Sequence, residues 1–273
     1  MISCAVTAYC EGQRGNYGWI RECLAPMIAS PHVDEVVVYD DGSERSDQVG
    51  LLRAISTLDT RKVTLHAGEV NQGVFAAKLE AVSRCRGEWV QECDSDNVMG
   101  LDYFEHLAGL REAWDRRTWI CPERGLPELD YREMAGTWSI ETIEGMVRFR
   151  HFQSAINTGN QFVNRQGFLD RFGEYLGKRW DLTLPDYFGL GDRRGEVYWR
   201  RVFDSADSWY YNKRWLEGGG RLRIQSGLQY LHRRPKSDER PSSWAMAPKE
   251  KDRVPGLFTD ELIRASRASR GVA

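Results

Sequence analysis

Apolar positions along the first 120 residues alternate between two periods. Ile2–Ala8 is a continuous apolar run, short enough for a strand. Tyr17–Ile28 places Ile20, Cys23, Leu24 and Met27 on one helical face. Val36-Val37-Val38 is an unbroken β-branched run, the signature of a parallel strand buried on both faces. A short helix over Leu51–Leu58, a strand over Lys62–His66, a helix over Asn71–Cys85 and a strand over Trp89–Cys93 follow. This β-α-β-α order predicts a parallel sheet with right-handed crossovers and helices on both faces. The second half is patterned differently. Thr137–Arg150 alternates like a hairpin, Gln161–Asn164 reads as a short strand, and Glu196–Leu216 as a helical stretch. Gly218-Gly219-Gly220 turns into a strand at Arg221–Gln225. Lys236–Pro255 is polar and aperiodic, with prolines at 241, 248 and 255, and reads as a mobile loop before a last helix from Thr259 through Ser269.

Composition narrows the class. The 273 residues, 41% hydrophobic and 29% charged, are enough for a large buried core. Formal net charge is −2, which excludes a basic nucleic-acid coat and an acidic disordered chain. Mean hydropathy is −0.57 and no apolar run approaches 18 residues, so no transmembrane helix is expected. The six cysteines include no Cys-x-x-Cys pair, and the start carries no basic region before its apolar stretch. Both features lead us to expect reduced core thiols and a cytoplasmic protein. The charge is uneven: residues 1–146 carry net −11, residues 147–235 net +7 and the tail net +2.

Chemistry concentrates where strands end. In open α/β sheets, ligands gather at the carboxyl ends of strands. Three strands here end in acids: Glu11 shortly after Tyr9, Asp40-Asp41, and Asp94-Ser95-Asp96. Asp-Asp-Gly-Ser and Asp-Ser-Asp-Asn are also good turn formers, so each alone has an ordinary explanation. Three on one rim outweigh it. Two carboxylates two residues apart suit Mg²⁺ or Mn²⁺ shared with substrate phosphates. No strand is followed by Gly-x-Gly-x-x-Gly, and a P-loop is absent.

Taken in order, Val6-Thr7-Ala8-Tyr9-Cys10-Glu11, Val38-Tyr39-Asp40-Asp41-Gly42-Ser43, Asn71-Gln72-Gly73-Val74-Phe75-Ala76-Ala77-Lys78 and Asp94-Ser95-Asp96 resemble the successive motifs of family 2 glycosyltransferases. The resemblance covers residues 2–120 well and continues more weakly to about 233. It implies a GT-A-like fold, a mixed and mostly parallel sheet flanked by helices. It also implies a donor site for a nucleotide-diphosphate sugar, with UDP the expected nucleotide. Thr7 and Tyr9 would line the nucleobase pocket, with the tyrosine ring against the base, and Ala8 and Glu11 would belong to the donor site. Asp40 or Asp41 would contact base or ribose, and Lys78 base or diphosphate. Asp94, Ser95 and Asp96 would form the Asp-x-Asp element, with Asp96 the direct metal ligand, assisted by Asp94 and His232. Cys10 stands where the family often has Asn, and Lys78 where Arg is commoner.

The resemblance also assigns an acceptor side. Asn157, Gly159 and Asn160 belong to a Gly-containing strand, and Asp207 to the segment bearing the catalytic base, with Asp204 in reserve. Trp209, Arg233 and Trp244 are further acceptor-side candidates. Asp204 and Asp207 equally suit helix N-capping. The implied organisation is a donor half (1–120), an acceptor half (121–235) on the same sheet, and a lid loop with a C-terminal helix (236–273). The implied function is inverting, metal-dependent transfer to a hydroxyl. The basic second half suggests an anionic acceptor, an acidic glycan or DNA. A nucleotidyltransferase and a non-catalytic nucleotide-sugar-binding module are the alternatives.

Overall fold

The computed structural model describes residues 1–9, 17–58, 61–156, 159–177, 211–233 and 253–272. The donor-side elements follow the expected order: β1 (Ile2–Ala8), α1 (Tyr17–Ala29), β2 (Val33–Asp40), α2 (Arg45–Ser56), β3 (Val63–Ala67), α3 (Val74–Arg84) and β4 (Trp89–Asp94). β1 pairs in parallel with both β2 and β4, and β2 with β3. β5 (Val98–Met99), α4 (Leu101–Gly109), β6 (Thr118–Leu126), β7 (Leu129–Asp130), β8 (Gly136–Trp138), α5 (Phe152–Ile156), β9 (Phe162–Asn164), α6 (Arg165–Phe172) and β10 (Arg221–Leu231) complete one ten-stranded sheet and its cover. The main strand order is β3-β2-β1-β4-β9-β6-β10-β5. β9 runs antiparallel to β4 and β6, while β6 and β10 are parallel. The carboxyl ends of β1, β2, β4, β6 and β10 therefore share one rim.

Pleating sorts the core into two layers, because successive side chains point to opposite faces. Cys4, Val6, Val36 and Val38 pack with Ile20, Cys23, Leu24 and Met27 of α1, the four residues that the helical period selects. Ala5, Val37 and Tyr39 pack with Phe75, Leu79 and Val82 of α3 on the other face. Strand β10 crosses between these layers. Leu222 and Ile224 belong to the α3 layer, but Leu228 and Tyr230 belong to the α1 layer. A register shift between Gln225 and Gln229, with Gly227 at φ +86°, turns the strand over. The five described cysteines are buried free thiols, as expected.

Several expectations fail. Thr137–Arg150 is no hairpin. Only Gly136–Trp138 is extended, and it pairs with β10. The Ser139 amide then donates to Thr142 Oγ1 (2.9 Å), turning the chain into a 3₁₀ turn at Ile143–Met146. Helix α2 starts at Arg45, six residues before the expected Leu51. Helix α3 starts at Val74 rather than Asn71, because Gly73 at φ 93° donates its N–H to Asn71 Oδ1 (2.9 Å) instead of entering the helix. The C-terminal helix begins at Arg253, not Thr259; Pro255 fits its first turn, where an N–H has no intrahelical partner. Strand β10 continues to Leu231, beyond Gln225. The Glu196–Leu216 stretch is helical at 211–217, and its earlier part lies outside the described residues, as does the expected loop at 236–252. Among the described residues no helix is long and apolar enough to cross a membrane.

Candidate functional site

The shared rim collects the residues that the sequence singles out. Thr7 and Ala8 end β1, both buried, and Tyr9 follows, 40% exposed at the edge. The Asp41 amide donates to the Ala8 carbonyl (2.9 Å), tying the second motif to the first. Ser95 N donates to the Thr7 carbonyl (3.0 Å), which ties the Asp-x-Asp turn to the same strand. Parallel pairing thus makes one continuous ledge from three motifs distant in sequence.

Asp40 and Asp41 are both buried. Asp41 Oδ1 accepts from Gln72 N (2.9 Å) and Oδ2 from Gly73 N (2.8 Å), so this carboxylate shapes the turn that starts α3. Gly42 at φ 69° lies against the Val70–Asn71 backbone, where a Cβ would collide. Asp40 accepts from Ser43 Oγ, and burial holds its carboxyl above the ordinary range.

Lys78 is buried on α3 and reaches across the sheet edge, its Nζ 3.4 Å from Asp94 Oδ1. Asn97 Nδ2 donates to Asp94 Oδ2 (3.3 Å) and lies 3.3 Å from Asn160 Oδ1, which also accepts from Asp94 N (3.4 Å). Asp94 is therefore pinned from both sides. Asp96, half-buried next to it, is pushed up to about 7 by burial and by the Asp94 charge, against the pull of Arg233 and Lys78. A carboxyl so placed stabilises an added cation more than an ordinary surface acid does.

Arg233, expected with the acceptor-side residues, follows the overturned end of β10. It ion-pairs with Glu22 of α1 and lies 5.8 Å from the Trp19 ring, close enough for its charge to act on Asp96. The His232 amide donates to the Leu126 carbonyl (2.8 Å), and its ring stands edge-on to Tyr230. The expected trio of Asp94, Asp96 and His232 is not assembled: among the described residues no three His, Cys, Asp or Glu could hold a metal ion together. Lys78 already faces Asp94, and the His232 ring stands against Tyr230. Two adjacent carboxylates still fit a hard cation whose remaining ligands are phosphate oxygens and water.

Gly159 and Asn160 are buried at the start of β9, and the neighbouring Gln161 Nε2 donates to Asn212 Oδ1 (2.6 Å). Glu11, Asn157, Asp204, Asp207, Trp209 and Trp244 lie outside the described residues. The sequence reading missed Asn97, although an Asn closing an Asp-rich turn is a local signal. It also missed Trp19 and Glu22, for which no local signal exists.

Solved structures with the same architecture include TarS 1-349 of S. aureus in complex with UDP-GlcNAc, with TM-score 0.59 and 14% identity over 98% of this chain and 74% of that one. GalNAc-T7 with UDP, GalNAc and Mn²⁺ gives TM-score 0.58 and 15% identity, over 99% of this chain and 51% of that one. At such identities the likeness establishes the fold, GT-A. No curated protein matches the sequence. The profile described as Glycosyl transferase family 2 matches residues 3–173, more than half of the chain, which thus belongs to glycosyl transferase family 2 and is a glycosyltransferase.

Proposed function

We propose that this enzyme moves a sugar from a nucleotide-diphosphate donor, with UDP as the nucleotide, to an acceptor hydroxyl, with inversion at the anomeric carbon. The observation that carries the reading is the Lys78–Asp94 ion pair with the half-buried Asp96 beside it, on the ledge that also bears Thr7, Ala8 and Tyr9. UDP is favoured because TarS and GalNAc-T7 were both solved with it or its sugar. Tyr9, exposed at the rim, offers its ring to the nucleobase. Lys78 and Arg233 place positive charge beside the carboxylates, where a diphosphate would lie. Asp94 and Asp96 would hold Mn²⁺ or Mg²⁺, which when bound neutralises charge on the leaving diphosphate.

In the reaction, the acceptor oxygen forms a bond to the anomeric carbon as that carbon's bond to the diphosphate oxygen breaks. The electron pair leaves with the diphosphate. The acceptor proton passes to Asp207, assigned as general base by the resemblance of its segment to that of family 2 glycosyltransferases. The net +7 of residues 147–235 supports an anionic acceptor, an acidic glycan or DNA.

Incubation with UDP-sugar and Mn²⁺ tests the reading through release of UDP. With UTP and a sugar 1-phosphate supplied instead, release of pyrophosphate would mean nucleotidyl transfer, and no product from either incubation would leave a binding module. Asp207→Asn is expected to lower turnover by ~10²–10⁴-fold with UDP affinity unchanged. If Asp204→Asn has that effect and Asp207→Asn does not, the base is Asp204.

A further inference from the structure

The opposite rim holds a second candidate site. Strand β6 starts just after Arg117, β10 just after Gly220, and α6 just after the last residue of β9. Beside the starts of β6 and β10, and along α6 to its last turn, lies a cavity of about 390 Å³ lined by Arg116, Arg117, Asp170, Arg171, Trp215 and Gly218, among others. Strand β6 separates it from the Asp-x-Asp rim by roughly 25 Å, at ~3.3 Å per residue. It is not part of the transfer site.

Its charge is unbalanced. Arg116 is 3.1 Å from Asp170, with both side chains 58% exposed, and Arg221 is paired with Asp115 at the edge. Arg171 gives its Nε–H to the Arg214 carbonyl (2.8 Å), which orients the guanidinium without neutralising it. Among the described residues neither Arg117 nor Arg171 has a carboxylate partner. Two positive charges are therefore left over at one cavity. Gly218 makes room for the Arg171 guanidinium, since a Cβ there would stand 2.8 Å from Arg171 Cζ. Trp215 also lines the cavity, held by stacking on Trp119 at 4.6 Å and by its Nε1–H bond to the Arg221 carbonyl (3.0 Å).

We propose that this cavity binds a phosphate group carried on a small molecule. A phosphomonoester carries about −1.5 to −2 charge near neutral pH, which matches the excess of the site. Guanidinium forks suit its tetrahedral oxygens better than a point charge would. The volume exceeds what phosphate alone requires and lies within the ~300–1,000 Å³ range of ligand pockets, so it leaves room for a carrier such as a sugar against Trp215.

Isothermal titration of the whole chain at low ionic strength, with inorganic phosphate, a hexose 6-phosphate and free hexose, tests this. Hexose 6-phosphate is expected to bind at least as tightly as phosphate, and free hexose not to bind. Arg117→Gln, at an exposed side chain, should weaken both phosphates by ~10-fold with an unchanged thermal midpoint. Asp170→Asn releases Arg116 and should tighten them by ~3-fold. The proposal is overturned if neither phosphate titrates, if only inorganic phosphate does, or if both variants titrate like wild type, which would place the bound anion elsewhere.

Discussion

Glu35 and Asp40 are buried acids near opposite ends of the same strand, and their environments drive them in opposite directions. Burial alone would raise Glu35. It is instead held below the ordinary range, because its carboxylate accepts from Ser3 Oγ (2.6 Å), Arg86 Nε (2.8 Å), Gly87 N (3.2 Å) and Arg86 N. Asp40 has help from Ser43 and Gln48, but burial wins and the carboxyl is raised. The difference is the balance of supply against burial: Glu35 has the charged Arg86 among its donors, whereas Asp40 has only neutral donors and is fully buried. At the amino rim the Arg86–Gly87 turn before β4 converges on Glu35, and the acid is a structural tie. At the carboxyl rim Asp40 and, more strongly, Asp96 carry uncompensated desolvation, the condition expected where a ligand later supplies the missing positive charge.

The sharpest way to break this contrast is Asp96→Asn. Turnover should fall by ~10²-fold or more, with no loss of thermal midpoint, because the wild-type acid is not a stabilising group. Loss of stability along with activity would make Asp96 a tie like Glu35. Glu35→Gln should do the reverse. It should cost ~1–3 kcal/mol in urea unfolding, from donors left facing an amide, while turnover per folded molecule is unchanged.

The smallest effect is in pH dependence, where the two acids have opposite signs. Asp96 rises from 3.8 to about 7, so between those values the native state holds a proton that the unfolded chain has lost. Stability should therefore fall as pH rises from about 4 to 7, by on the order of 1 kcal/mol at a half-buried group, and Asp96→Asn should flatten that limb. The contribution of Glu35 is complete above the ordinary glutamate pKa and is lost as pH falls through its depressed value. Glu35→Gln should thus remove part of the acid limb only. Urea midpoints measured from pH 3 to 8 separate the two.

The donor side was legible because its signals are local. Ile20, Cys23, Leu24 and Met27 lie on one helical face at any tertiary placement, and Val36–Val38 demands cover on both sides. The acids after β2 and β4 then fall on one rim as a consequence of parallel pairing. Thr137–Arg150 misled because an alternating pattern shows that a segment can extend, not what it pairs with; its one extended piece joined β10. The Asp94 environment was only partly readable. Asn97 sits three residues away, but Lys78 comes from α3 and Asn160 from the start of β9.

By itself, the sequence determined the periods, the order of the motifs and the strand ends at which the acids stand, since each depends on residues within a few positions of one another. Only the tertiary structure decided that β10 turns over at Gly227, that Arg233 therefore meets Glu22 and Trp19, and that donors lower Glu35 while burial beside Asp94 raises Asp96. Desolvation and hydrogen-bond supply are set by segments that lie far away in the chain and are brought together only when the sheet assembles.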